Sequence, residues 1–210
     1  MENSKIMKQG LASLKGKWGI AIATLIIYAL ITIAAGVGPL FFVGPGFQWL
    51  SNITSLVIVP PLAIGLCIFA LNLSRDTKAD IDNLFLGFQK NWINYILAYI
   101  LMVFVIAVGF FLFIIPGVIA SLMFSQVFFI MAEDDKIGAY DALVKSYNMM
   151  KGYKWKFFRI NLRIMALAIL CIFTLGIGFI WLSPYQYVVF ATFYDDIKDN
   201  PSFKNQEYLS

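Results

Sequence analysis

Few residues in this chain could do chemistry, and most of those that could are cations. The stretch from Ser146 to Arg163 holds Lys151, Lys154, Lys156, Arg159 and Arg163 around Trp155. Arg159 and Arg163 stand at i and i+4, so on a helix they share a face. With Lys154 and Lys156 they suit bidentate capture of a phosphate, on an anionic lipid or on a soluble anion. Arg163 falls about 12 Å beyond Trp155 at 1.5 Å per residue, further into the apolar run than an interfacial anchor needs. The competing reading is that both arginines reach back to water along their own stems.

Other chemistries find little to work with. There is no histidine, and Cys67 and Cys171 stand far apart in apolar runs. No thiolate metal site, disulfide framework or histidine-based catalysis is indicated, and no cofactor is called for. The acidic groups Asp80/Asp82, Glu133-Asp134-Asp135 and Asp195-Asp196/Asp199 are read as solvated or lysine-paired carboxylates rather than a divalent-cation site. Gln126, Gln186, Asn161 and Ser125 are polar groups inside apolar runs. They suit hydrogen bonds between helices, or a polar path. An enzyme is not expected.

The elements that position these residues follow from composition. Of 210 residues 60% are hydrophobic and only 13% charged, about half the charge of a soluble domain. That leaves too little polar surface to cover a water-soluble globule, so lipid must be the solvent for much of the chain. No charge lies between Lys17 and Arg75, between Lys90 and Glu133, or between Arg163 and Asp195. A crossing helix takes about 20 apolar residues, so each stretch suits two. The expected spans are Trp18 to about Ala35, Asn52–Leu73, Trp92–Ile115, Val118 to about Ala132, Trp155 to about Leu175, and Phe179–Tyr194. Gly36-Val-Gly-Pro39 with Gly44-Pro-Gly46, Pro116-Gly117 and Gly176-Ile-Gly178 mark the reversals. Pro60-Pro61 and Pro184 are expected to kink or interrupt their helices. Lys15, Lys17, the run from Trp18 and Ala34-Ala35-Gly36 have the outline of a signal peptide. That run exceeds the roughly 7–15 residues of a signal core, so an uncleaved first span is expected.

Each pair of spans follows an amphipathic segment. The apolar faces read as Met7, Leu11, Leu14 and Trp18, then Ile81, Leu84, Phe85 and Phe88, then Ile137, Tyr140, Leu143, Val144, Tyr147 and Met150. The first reads as a helix lying on the membrane. Trp18, Trp92 and Trp155 are the expected interface anchors. One unit thus recurs at about 2–76, 77–135 and 136–196: amphipathic helix, Trp, span, reversal, span, charged stop. The fold expected is an all-α polytopic membrane protein, six transmembrane helices as three pseudo-repeated hairpins in a single domain over 1–197, with a polar cytoplasmic tail over 198–210. Every Lys, Arg, Asp and Glu falls outside the reversals, and positive residues favour the cytoplasm. Both termini are therefore expected there, in a multi-pass cell-membrane protein.

Ala142-Leu-Val-Lys-Ser146, Met149-Met-Lys-Gly152, Lys154-Trp155 and Phe157-Phe158, with Asn72-Leu-Ser-Arg75, Leu84-Phe-Leu-Gly87-Phe88, Ile114-Ile-Pro-Gly117 and Thr174-Leu-Gly-Ile-Gly178 through Pro184-Tyr185, carry a family resemblance. The chain resembles, from about Lys15 to Tyr194, an uncharacterised family of bacterial integral membrane proteins, domain of unknown function 975. It is similar more distantly to the membrane domain of some bacterial glycerophosphodiesterases. The resemblance implies a six-helix inner-membrane protein and no activity, and it assigns no role to Arg159 or Arg163.

The residues themselves favour a non-enzymatic membrane protein whose basic cytoplasmic collar binds anionic lipid headgroups or a partner. A transporter or exporter for a small molecule or anion, with its site at the repeat interface, is the alternative. The partners expected are membrane lipids, anionic ones foremost. A protein partner or a second copy is left open, and nucleic acid is not expected.

Overall fold

Apolar runs longer than a bilayer is thick become the long helices. The computed structural model describes residues 1–43, 46, 48–89 and 91–198. Gly44, Pro45, Phe47, Lys90 and the residues from Asp199 onward, which hold part of the expected Gly/Pro reversal and nearly all of the expected polar tail, lie outside the described residues. The elements are α1 (Asn3–Ser13), α2 (Trp18–Val43), α3 (Gln48–Ser74), a 3-10 turn (Ile81–Phe85) running into α4 (Leu86–Gln89), α5 (Trp92–Leu112), α6 (Ile114–Met123), α7 (Val127–Glu133), α8 (Ala139–Met149), α9 (Lys154–Phe173) and α10 (Phe179–Lys198). Among the described residues, four helical stretches are long and apolar enough to cross a membrane: Trp18–Pro39, Gln48–Ser74, Trp92–Leu112 and Ile114–Glu133. α9 and α10 have 20 residues each. α9 opens on four cations, and α10 carries Pro184, Gln186 and a terminal Asp195-Asp196.

α3 and α10 form the centre. The apolar window of α3 is 61% buried, against 17% for those of α2 and α5. α10 buries Val188, Val189, Ala191, Thr192, Phe193 and Tyr194. Phe157 of α9 packs its ring 5.0 Å from Phe190 and 4.8 Å from Phe193. The hairpin tips are apolar and open: Phe111 is 91% exposed, Phe113 75% and Leu175 94%. Such tips fit a lipid or interfacial surrounding and would be a liability in water.

Several local expectations are corrected. Gly36–Pro39 stays inside α2, and Pro60-Pro61 and Pro184 do not interrupt α3 or α10. Each proline removes one donor, whereas unwinding a span would strand several backbone groups in hydrocarbon. The fourth span is instead divided, without proline, at Phe124-Ser125-Gln126 between α6 and α7. Hydroxyls hold the carbonyls there: Ser125 Oγ donates to Leu122 O at 2.9 Å, and Ser146 Oγ of α8 to Met123 O at 2.7 Å. The α5–α6 reversal falls at Phe113, in extended conformation, and Pro116 sits in the first turn of α6. Gly176, at φ 85°, turns α9 into α10.

The short helices bury only part of the faces expected: Leu14, Leu84, Leu143 and Met150 are inside, and the other residues of those faces are not. α1 does not lie apart on a membrane surface. It packs against α10, α3 and α9, with Asn3, Ile6, Gly10 and Leu14 buried while Leu11 is 52% exposed. α8 buries Ala139, Ala142, Leu143, Ser146 and Met149, with Met150 just after it, and leaves Tyr140 and Tyr147 open. The segment from Ile81 to Gln89 is a 3-10 turn and a single helical turn, with Leu84 and Gly87 inside and Phe85 and Phe88 outside. In lipid a large apolar residue gains little by pointing inward, and small residues decide where helices meet.

Candidate functional site

The charged residues gather where the long helices end. Arg75, just past α3, donates from Nε to Asp195 Oδ1 and Oδ2 at 3.2 and 3.1 Å, and from Nη2 to Asp195 Oδ1 and to Glu133 Oε1 at 2.8 Å. Tyr194 Oη donates to Glu133 Oε2 at 2.8 Å, and Lys198 Nζ lies 2.6 Å from Glu133. The bonds to Asp195 push the Arg75 guanidinium above its usual range, against the opposing effect of burial. Glu133 and Asp195 are thus knit to cations and a tyrosine rather than solvated. Among the described residues no three His, Cys, Asp or Glu converge on a point that would hold a metal ion.

The five cations expected to act together are divided by the fold. Lys151 and Lys154 stand over the Tyr147 ring, at 4.9 and 6.0 Å from its centroid. Lys156, Arg159 and Arg163 turn instead toward α1. Phe157, Ile160 and Ile164 are the buried face of α9, which leaves Arg159 and Arg163 on its exposed side. Together with Met1, Glu2, Asn3 and Ser4, these three cations line a cleft of about 500 Å³. Lys156 Nζ pairs with Asp196 at 2.5 Å, Asp196 also meets the Met1 amino group at 2.6 Å, and Asn3 Nδ2 donates to Lys156 O at 3.2 Å. Arg163 Nη1 reaches only the Met7 sulfur, at 3.9 Å. Neither Arg159 nor Arg163 has a carboxylate partner among the described residues. Lys156 is therefore largely neutralised locally, while the two arginines share the cleft with Glu2 without pairing to it. The N-terminus of α1 adds the unpaired backbone N–H groups of Asn3 and Ser4 at the same cleft.

The polar groups at depth do not form one path. Gln126 is fully buried; its Nε2 donates to Ser125 Oγ at 3.0 Å, and its Oε1 has no partner among the described residues. Asn161 Nδ2 donates to Phe157 O of its own helix at 3.0 Å, and Gln186 is half-buried. Neither glutamine lines the basic cleft. Of the anchors, Trp155 is 66% and Trp92 41% exposed, and Trp155 stacks on Phe158 with centroids 5.3 Å apart. Trp18 is half-buried against the α2–α3 core.

Sequence reasoning missed Asn3, Ser146 and Tyr194 as site residues, because single polar residues carry no spacing signal. Arg75 did carry one: it is a cation at a stop where the other two units place carboxylates.

No curated protein and no solved structure matches the chain. Residues 103–201, which contain the break at Gln126, the α8–α9 junction and both arginines, match the family model described as protein of unknown function (DUF975), and over that stretch the chain is similar to this family.

Proposed function

We propose that this is a non-enzymatic, multi-pass membrane protein that binds anionic lipid headgroups in the cleft between α1 and α9. The observation that carries the reading is the pair Arg159 and Arg163. Both are exposed, both border the cleft, and both lack a carboxylate partner among the described residues. Guanidinium groups one turn apart match a phosphate's oxygens, and each cation near an anionic surface adds about 1 kcal/mol. In this reading α9 and α10 also cross, giving six spans in three pseudo-repeated hairpins with both termini cytoplasmic. The recurrent order of short helix, long helix, long helix supports it, as does the meeting of Arg75, Glu133 and Asp195 from the three stops. The test is retention of anionic lipid through purification. Arg159→Ala with Arg163→Ala is expected to lose bound anionic lipid while staying monodisperse and folded. Unchanged retention in the double variant overturns the reading.

A second reading, a transporter of a small molecule or anion, draws on one observation. α6 and α7 are interrupted beside a fully buried Gln126 whose carbonyl oxygen is unpartnered, and broken helices line substrate sites in transporters. Anion flux in proteoliposomes that Gln126→Met abolishes would favour it; absence of flux would retire it.

A further inference from the structure

Further along the same two helices, α1 and α9, lies a second and separate cavity. An apolar groove of about 440 Å³ is lined by Leu11 and Trp18 with Leu167, Leu170, Trp181 and Leu182, among others. The two helices connect cleft and groove, and both change character in the same direction. On α9, Arg159 and Arg163 border the basic cleft, and Leu167, Leu170 and Thr174 border the groove. These positions follow one another at three- and four-residue steps, so they form a single stripe. On α1, Ser4 borders the cleft and Leu11 the groove, with Met7 on the same face between them. Met7 marks the join. Its sulfur meets Arg163 Nη1, and its carbonyl accepts from Tyr185 Oη at 3.3 Å, Tyr185 itself lining the groove. Cation gives way to hydrocarbon within about 6 Å of helix, between Arg163 and Leu167. The groove then follows α9 for a further ~10 Å to Thr174.

We infer that cleft and groove are one site for a single anionic phospholipid of the surrounding bilayer, the phosphate held by Arg159 and Arg163 and one acyl chain lying along α9 against Leu167, Leu170 and Trp181. This rests on the headgroup-binding reading above and adds to it a defined ligand class. A headgroup collar alone would bind any phosphate-bearing surface or soluble anion. A site with an attached apolar groove selects an amphiphile, because an acyl chain beside the held phosphate packs along the groove wall and a soluble anion leaves that wall without a partner. Charge and polarity match that ligand end to end: two cations without carboxylate partners at the mouth, and an apolar wall beyond them.

The experiment uses the full chain in phosphatidylcholine nanodiscs doped with phosphatidylglycerol, with retained phosphatidylglycerol read by native mass spectrometry. Glycerol 3-phosphate, a headgroup without a chain, is the second probe. Arg159→Gln with Arg163→Gln is expected to lower affinity for both probes, by about thirtyfold for the lipid if two cationic contacts are lost. Leu170→Trp fills the groove at a position already 61% exposed. It is expected to lower phosphatidylglycerol retention about fivefold through lost packing of the chain and leave glycerol 3-phosphate binding unchanged. Loss in the double-arginine variant with no effect of Leu170→Trp overturns the single-lipid site and leaves the headgroup reading standing. No effect of either variant overturns both. If Leu170→Trp does not yield monodisperse protein, wild type labelled with phosphatidylglycerol carrying a diazirine in its acyl chain decides. Label concentrated on peptides spanning 167–182 supports the site, and label spread evenly over α2 and α5 overturns it.

Discussion

Arg75 grips Asp195 with two nitrogens, Nε to both carboxylate oxygens and Nη2 to Oδ1. It is a fork-to-fork pairing across a separation of 120 residues. The same Nη2 holds Glu133. One guanidinium thus ties the ends of α3, α7 and α10, and no lysine could do so, because an ammonium is a point charge without that planar fork. The chain places a cation where its other two stops place carboxylates, and the fold brings the three together.

Among the described residues, Arg75→Ala therefore leaves Glu133 with Lys198 and Tyr194, and Asp195 with the Ser74 hydroxyl alone. Both carboxylates are about a quarter exposed, so solvent offsets part of the loss. The expected destabilisation is about 1–3 kcal/mol. Arg75→Lys is expected to recover only part of it. Thermal midpoints in detergent, measured for Arg75→Ala, Asp195→Asn and the pair, give the coupling. Additive single effects would mean that the fork contributes nothing specific.

The neighbouring Lys17–Asp76 pair gives the opposite expectation. Lys17 Nζ donates to Asp76, whose side chain is 86% exposed. The bond from Lys17 holds the Asp76 carboxyl below its ordinary range. A depressed carboxylate stabilises above its unfolded pKa of about 3.9 and loses that stabilisation as pH falls through its folded value. Solvent screens so exposed a pair. Asp76→Asn, which still tolerates the φ of 56° at this position, should leave the midpoint at neutral pH nearly unchanged. It should slightly flatten the loss of stability below pH about 4. A large drop at neutral pH would refute this.

Much of the fold is legible in the sequence because hydropathy and charge report which stretches leave water. The starts of α2, α5 and α9 at Trp18, Trp92 and within one residue of Trp155 follow from that signal alone. The packing faces of the short helices follow only in part: Leu14, Leu84, Leu143 and Met150 are buried as expected. Leu11, Tyr140 and Phe85 point outward, while Gly10, Ser146 and Gly87 point in, because burial in protein and burial in lipid are nearly equivalent for an apolar side chain. For the site, Arg159 and Arg163 were legible from their i, i+4 spacing. Their separation from Lys151 and Lys154 was not, since it depends on α1 docking beside α9.

The docking of the 81–89 segment on α3 depends on two glycines. A methyl group at Gly65 would sit 2.1 Å from the Leu84 carbonyl oxygen, and one at Gly87 would sit 2.0 Å from that of Pro61. Both obstacles are backbone, so relief requires moving a whole segment. Gly65→Ala and Gly87→Ala should each cost upwards of about 2 kcal/mol and reduce yield of folded protein. Gly10→Ala meets mainly a Val189 methyl at 2.8 Å and should cost less. Gly19→Ala meets nothing within 4 Å, and replacing a helical glycine there should be neutral or gain up to about 1 kcal/mol. Equal midpoints across the four variants would sink the argument.

Asp196 sets the charge of the basic cleft, since it takes up both Lys156 and the Met1 amino group. Asp196→Asn removes that neutralisation and leaves an additional uncompensated cation beside Arg159 and Arg163. If the cleft binds anionic headgroups, the variant should retain more anionic lipid. At about 1 kcal/mol per added charge the gain is roughly fivefold, and it should shrink as salt rises. A variant that remains folded and retains less anionic lipid than wild type would show that the carboxylate, and not the cations, makes the contact.

The break between α6 and α7 holds two polar residues with opposite expected effects. Ser146 Oγ satisfies the Met123 carbonyl across from α8. Ser146→Ala strands that carbonyl at depth and should cost about 1–2 kcal/mol. Gln126 instead carries an unpartnered, fully buried Oε1. Gln126→Met, close in volume and without that oxygen, should hold the midpoint or raise it by up to about 1 kcal/mol. Midpoints from fluorescence-detected size exclusion in one detergent settle the comparison. If Gln126→Met lowers the midpoint as much as Ser146→Ala does, the Gln126 carbonyl has a partner in the folded protein. The interrupted helix would then hold a bound water, ion or substrate, which is what the transport reading requires.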